Sequence, residues 1–151
     1  MIYEIRPIKK PLLVWEKLAP HISRAIEYGY GYVTLESVKQ SLEAQESSAI
    51  GIYQAGWRYG STATYGDLCG VCVAEVRDYP LNPPKRALIV CLLGGDGFDF
   101  WGKKLVTGLE LLGKALGCDE VQATGRRGWS RKLMQFGWGE QKVTVAKKLK
   151  D

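Results

Sequence analysis

The sequence predicts an α/β chain in which one mixed sheet carries helices on its faces. Two observations lead there. The stretch from Lys85 to Thr124 reads strand, glycine loop, helix, strand. The rest of the chain supplies short strand-like and helix-like segments in an order that leaves no internal repeat, linker or low-complexity tract.

The central stretch is the clearest. Arg86 to Leu93 (RALIVCLL) is a near-continuous apolar run, as expected of a strand buried on both faces. Gly94, Gly95, Asp96 and Gly97 break it. Trp101, Leu105, Leu109, Leu112 and Leu116 then recur at helical spacing, and Gly117 ends that helix. Val121 to Thr124 returns as a parallel strand. Glycines at a strand-to-helix junction let backbone N–H groups approach a phosphate, so the loop is a candidate ligand cradle.

Before this core, Tyr3 to Ile8 alternates as a first strand. Leu12 to Tyr28 carries the helical stripe Trp15, Leu18, Ile22, Ala25 and Ile26, with Pro20 expected to kink or split it, and Gly29 and Gly31 to end it. His21, beside Pro20, reads as a partly buried polar residue rather than a ligand or base. Thr34 is placed to cap a second helix with Leu35, Val38 and Leu42 on one face. Ala49 to Tyr53 and Leu68 to Val76 are the next strands, separated by a glycine- and tyrosine-rich loop from Gly56 to Asp67. Trp57, Tyr59 and Tyr65 in that loop line a pocket or partner surface, or else cover the loop's own turn. Asp78 to Pro84 turns the chain into the central strand as a hairpin. After the crossover, a short helix presents Trp129, Leu133 and Phe136, and Gly137 stops it. Lys142 to Lys147 alternates as a closing edge strand whose lysines discourage further pairing.

A chain of 151 residues has room for one domain, spanning 1–151. No apolar run approaches the roughly 20 residues of a membrane helix. Met1 to Arg6 lacks the apolar core of a signal peptide. These features predict a soluble protein that stays where it is made. The net charge of +5 is a mild excess, which disfavours a dedicated nucleic-acid binder. Cys69 and Cys72 have CxxC spacing, which fits a zinc knuckle or a redox pair. With one histidine and no second CxxC, zinc lacks ligands, and residues three apart on a strand face opposite ways. Small apolar core residues in a reducing cytosol are the better reading.

The order of elements, the strand-loop-helix at 86–116 and the short helix ending Phe136-Gly137-Trp138 before Lys147-Lys148-Leu149 resemble the GNAT acetyl-CoA-dependent N-acetyltransferases. Leu93-Gly94-Gly95 ahead of Trp101, with Gly125-Arg126-Arg127-Gly128-Trp129, resembles the divergent small bacteriophage members. The resemblance implies a mixed, mostly antiparallel sheet of about six strands with about four helices on its faces. It implies acetyl-CoA as cofactor if the chain is an enzyme, with Leu93, Gly94, Gly95 and Gly97 holding it. For the phage relatives it implies a virion-associated or assembly component in the host cytoplasm or the particle, with protein partners or self-association.

This sequence departs from the family's Gln/Arg-x-x-Gly-x-Gly/Ala loop. Leu92 stands at the basic or amide position, and Asp96 and Asp99 bring carboxylates that read as helix caps and repel a pyrophosphate. Lys103 and Lys104 offset this only by reaching back. The central strand has no acid to serve as base, leaving Glu75 on the neighbouring strand as the candidate, alternatively paired to Arg77 or Lys85. The helix at 127–136 has no tyrosine to serve as acid. Arg126, Arg127, Arg131 and Lys132 are the other candidate site, for a phosphate or a partner, alternatively a solvated helix face. Three functions follow: a GNAT scaffold with a degenerate acetyl-CoA motif; a working N-acetyltransferase on a protein or small-molecule amine; and, more weakly, a nucleic-acid-binding accessory protein.

Overall fold

The alternating first residues form strand β1, Ile2–Ile8. The computed structural model describes residues 2–27, 33–57, 63–125, 127–141 and 145–150. A 3-10 turn at Pro11–Val14 precedes helix α1, Trp15–Glu27. Pro20 does not split α1, which follows the 3-10 turn directly at Trp15. Burial of Leu18 and Ile22 on either side of Pro20, at 0% and 1% exposure, offsets the lost backbone bond. The expected stop at Gly29 and Gly31 lies outside the described residues. Thr34 caps α2, Leu35–Glu43, through a reciprocal box: Thr34 Oγ1 accepts from the Ser37 N–H at 3.1 Å, and Ser37 Oγ accepts from the Thr34 N–H at 3.0 Å.

β2 (Ser48–Trp57) and β3 (Ala63–Tyr79) are longer than their apolar cores. Much of the expected loop from Gly56 to Asp67 is strand, because Trp57 pairs with Ala63 and Gly56 with Thr64 in the antiparallel ladder. Tyr59 lies outside the described residues, as do the side chains of Trp57 and Tyr65. β4 (Lys85–Gly95) runs through Gly94 instead of breaking there, because Val71 and Gly70 of β3 pair with Gly94 and Gly95. α3 (Phe98–Ala115), the parallel β5 (Glu120–Ala123) and α4 (Arg127–Met134) complete the order.

The described residues form one sheet of five strands, β1-β2-β3-β4-β5, antiparallel as far as β4 and parallel at β4–β5. The expected closing strand is not found at 145–147, where the chain has no regular structure; 142–144 lie outside the described residues. Two cores follow from strand alternation. On one face Ile50, Ile52, Cys72, Ala74, Leu88 and Val90 meet Trp101, Leu105 and Leu109 of α3. On the other, Ala49, Val71 and Val73 meet Leu18 and Ile22 of α1 and Val38 and Leu42 of α2. Cys72 is a free thiol within the first core, and burial pushes it up to about 12.

Candidate functional site: the β4–α3 loop and the β4–β5 slot

β4 leaves its neighbour part-way along. Ala87 to Val90 pair with Glu120 to Ala123, whereas the strand itself continues to Gly95. A register shift against β3 between Val73 and Ala74 leaves Cys91 as the extra, unpaired residue of a β-bulge. Past that point β4 and β5 diverge, and a slot opens between them beneath α3 and α4. Val90, Leu93, Leu105, Val106 and Leu109 line its inner part, with Phe98, Trp129, Leu133 and Trp138 around it. The cavity within the slot is small, about 40 Å³, and the slot opens to solvent. Among the described residues that line it, Thr124 carries the one hydroxyl and none is titratable.

The loop at the end of β4 is bound tightly to its surroundings. Gly94 faces α1 so closely that a Cβ would stand 2.0 Å from the His21 carbonyl oxygen. Gly95 has φ +151°, and a Cβ there would stand 2.5 Å from the Cys69 carbonyl oxygen. The Asp96 N–H donates to Cys69 O at 3.0 Å, and the Trp101 indole N–H donates to Asp96 O at 2.7 Å. Both glycines thus serve close packing of α1 and β3 against β4.

The two carboxylates do not cap α3. Its cap is Gly97 in the left-handed conformation, with no side-chain bond. Asp96 instead receives two hydrogen bonds from the Arg24 guanidinium, at 3.1 and 3.0 Å. Those bonds, and then the charge of Arg24, hold the Asp96 carboxyl below the usual range. The expected repulsion of an anion by Asp96 is therefore reduced, by an arginine that lies 72 residues away in sequence. Lys104 donates to the Tyr3 carbonyl, away from the loop, and Lys103 is exposed. His21 sits where the packing is tightest, with Nε2 3.1 Å from Leu68 O.

The remaining candidates are scattered. Leu92 packs into the α1–α2 core and Leu93 into the α3 core. Glu75 pairs with Arg77, its side chain 25% exposed. It follows Ala74 on β3, so it lies on the sheet face opposite α3 and the slot. Arg126 and the side chain of Arg127 are outside the described residues. Arg131 is exposed on α4, and Lys132 Nζ stands 5.1 Å from the Phe98 ring centroid. Phe98 also meets Trp129 edge-on, with centroids 5.0 Å apart, so α4 closes over the slot through aromatic contact.

Sequence reasoning missed the Arg24 partner of Asp96, the bulge and the role of Trp138. Gly137, with φ +88°, ends α4, and the Trp138 N–H turns back to Leu133 O at 3.3 Å. The Trp138 indole N–H donates to Glu110 Oε1 at 3.3 Å, which holds its ring against the slot. Gly137 was the available signal for this return.

No protein-family model matches the sequence, and comparison with curated proteins returns no match. Solved structures do match over the whole length. Glucosamine-6-phosphate N-acetyltransferase from Arabidopsis thaliana is 16% identical with TM-score 0.67, covering 99% of this chain and 100% of that one. A tetramutant of the BH1408 protein from Bacillus halodurans is 15% identical with TM-score 0.70, again covering 99% and 100%. Aminoglycoside N-acetyltransferase AAC(6')-Iy, in complex with CoA, is 17% identical with TM-score 0.61, covering 99% and 95%. The fold is that of the GNAT acetyltransferases. The expectation of a GNAT fold built around the central crossover holds.

Proposed function

We propose that this chain is a GNAT scaffold that has lost, or nearly lost, acyl transfer and works through protein partners or self-association. The observation that carries the reading is the chemistry of the β4–α3 loop and slot. Leu92, where the family places a basic or amide residue, is packed into the core. Gly94 and Gly95 are taken up by contacts with α1 and β3. Among the described residues lining the slot, none offers a base or acid to a reacting amine and thiolate. Glu75, the one carboxylate considered for that task, is held by Arg77 of the same strand, on the sheet face opposite the slot. A role in a bacteriophage particle or its assembly rests on the resemblance of Leu93 to Gly95 and Gly125 to Trp129 to the small phage proteins.

The second reading, an acetyl-CoA-dependent N-acetyltransferase, has specific support too. The slot lies at the carboxyl ends of two parallel strands, where α/β sheets commonly take ligands. The bulge at Cys91 frees backbone groups beside it. Leu93, Gly94, Gly95 and Gly97 would hold the cofactor in that case.

Thermal unfolding with and without acetyl-CoA separates the two. A ligand at one hundred times its dissociation constant adds about 2.7 kcal/mol to a native state that alone binds it. The scaffold reading expects no shift at millimolar acetyl-CoA. A clear shift, with acetyl transfer to an amine, would overturn it.

A further inference from the structure

We propose that this chain stacks front to back on a second copy of itself, with the outer face of α2 of one molecule seated on the outer face of α3 of the next. The inference deepens the self-association in the scaffold reading and does not require the loss of acyl transfer. The two surfaces belong to opposite layers. α2 packs with α1 over one face of the sheet and α3 over the other, so a single copy presents both surfaces at once.

The outer face of α3 is apolar and basic. Phe100, Lys104, Thr107, Leu111 and Lys114 recur at alternating spacings of four and three, the seam that one helix offers to another. All five are exposed, Phe100 by 78% and Leu111 by 62%. Lys103 adds an exposed cation beside the seam, and Lys104 also donates to the Tyr3 carbonyl. The two acids of α3 lie off this line. Asp99 is one position from Phe100, about 100° round the helix, and Glu110 accepts from the Trp138 indole.

The outer face of α2 is the complement. Glu36, Gln40 and Glu43 are exposed at spacings of four and three, and Glu46 follows in the turn after the helix. The one lysine of α2, Lys39, is turned to Trp15, with Nζ 5.9 Å from the ring centroid. Exposed apolar groups flank the acids: Val33 ahead of the cap, and Leu12 and Leu13 on the 3-10 turn that packs against α2. Lys9 and Lys10 stand ahead of that turn, so the opposing charge is carried by α2 itself. Two α3 surfaces would set lysine against lysine, and two α2 surfaces glutamate against glutamate. The unlike pair brings opposite charges and exposed apolar side chains together. Such a contact is heterologous, and with its two halves on opposite faces of the sheet it extends past a dimer.

Sedimentation equilibrium of the full chain from micromolar to millimolar concentration tests this. The average mass is expected to rise with concentration and to pass that of a dimer. Raising salt from about 0.1 M to about 1 M shortens the Debye length from about 10 Å to about 3 Å and is expected to weaken association roughly tenfold. Lys103→Glu with Lys114→Glu is expected to leave a monomer, and so is Glu36→Lys with Glu43→Lys. All four positions are exposed, so both double variants should unfold near the temperature of the parent. An equimolar mixture of the two should assemble again, because each contact then joins opposite charges. Phe100→Ala is expected to weaken association about tenfold. A monomer throughout, association that persists in either double variant, or a mixture that stays monomeric overturns the proposal. Assembly that stops at a dimer overturns the front-to-back arrangement. An acetyl-CoA shift defeats the scaffold reading and leaves the sedimentation result untouched, so the two fail separately.

Discussion

The two halves of β4 are built for different ends. From Ala87 to Val90 the strand is paired on both edges, covered on both faces and buried throughout. From Cys91 to Gly95 it keeps β3, loses β5 and borders the slot on one face while α1 presses on the other. The first half is held by side-chain packing. The second adds backbone proximity to the packing of Leu92 and Leu93, with Gly94 and Gly95 set close against α1 and β3. One strand can thus anchor a core and open a cavity, provided the change of packing falls at a definite residue.

Truncation on the two halves should separate them most. Leu88→Ala, at a site 2% exposed among both neighbouring strands and α3, is expected to cost about 3–4 kcal/mol in urea unfolding. Leu93→Ala, at a partly buried position beside the slot, is expected to cost about 1–2 kcal/mol, since its cavity joins an existing one. Equal costs would mean that the slot half is as tightly packed as the other. Gly94→Ala tests the other face and should cost about 3 kcal/mol, because the added methyl meets the main chain of α1. A neutral result would show that α1 can shift away from β4.

The smallest effect is electrostatic. The lowered pKa of Asp96 means that its pairing with Arg24 contributes stability above the unfolded-state value, near pH 4. That contribution disappears as pH falls through the folded-state value. Both side chains are largely exposed, so Asp96→Asn should reduce stability only marginally at pH 7 and not at all in strong acid. A difference from the parent that grew on acidification would contradict this ion pair.

Much of the fold was legible because its signals are local. The apolar run 86–93, the helical spacing from Trp101 to Leu112 and the Thr34 cap each lie within one element. The β2–β3 ends were not, since Gly56, Trp57 and Thr64 become strand through each other and lack a strong alternating pattern of their own. The site was less legible still. Gly94 and Gly95 look the same in sequence whether they cradle a phosphate or admit a helix, and the carbonyl of His21 decides between these. Asp96 read as a cap and a repulsive charge because its partner is on α1. The closure of the slot by Trp129 and Trp138 was not legible, because those rings are set by Phe98 and Glu110, which lie far from them in sequence.

The bulge at Cys91 acts on this strand as a frameshift acts on a message. Val90 faces α3, and in an unbroken strand Leu92 would do the same, with Leu93 turned to α1 and Gly94 to α3. The spare residue exchanges those assignments: Leu92 goes to the α1 side, Leu93 to the α3 side, and Gly94 meets His21. Without the shift, a leucine side chain would be driven at the main chain of α1, and a glycine would leave a hole beneath α3. An insertion or deletion between Val90 and Gly94 is therefore not a local event. It changes which layer of the protein each later letter of the strand addresses.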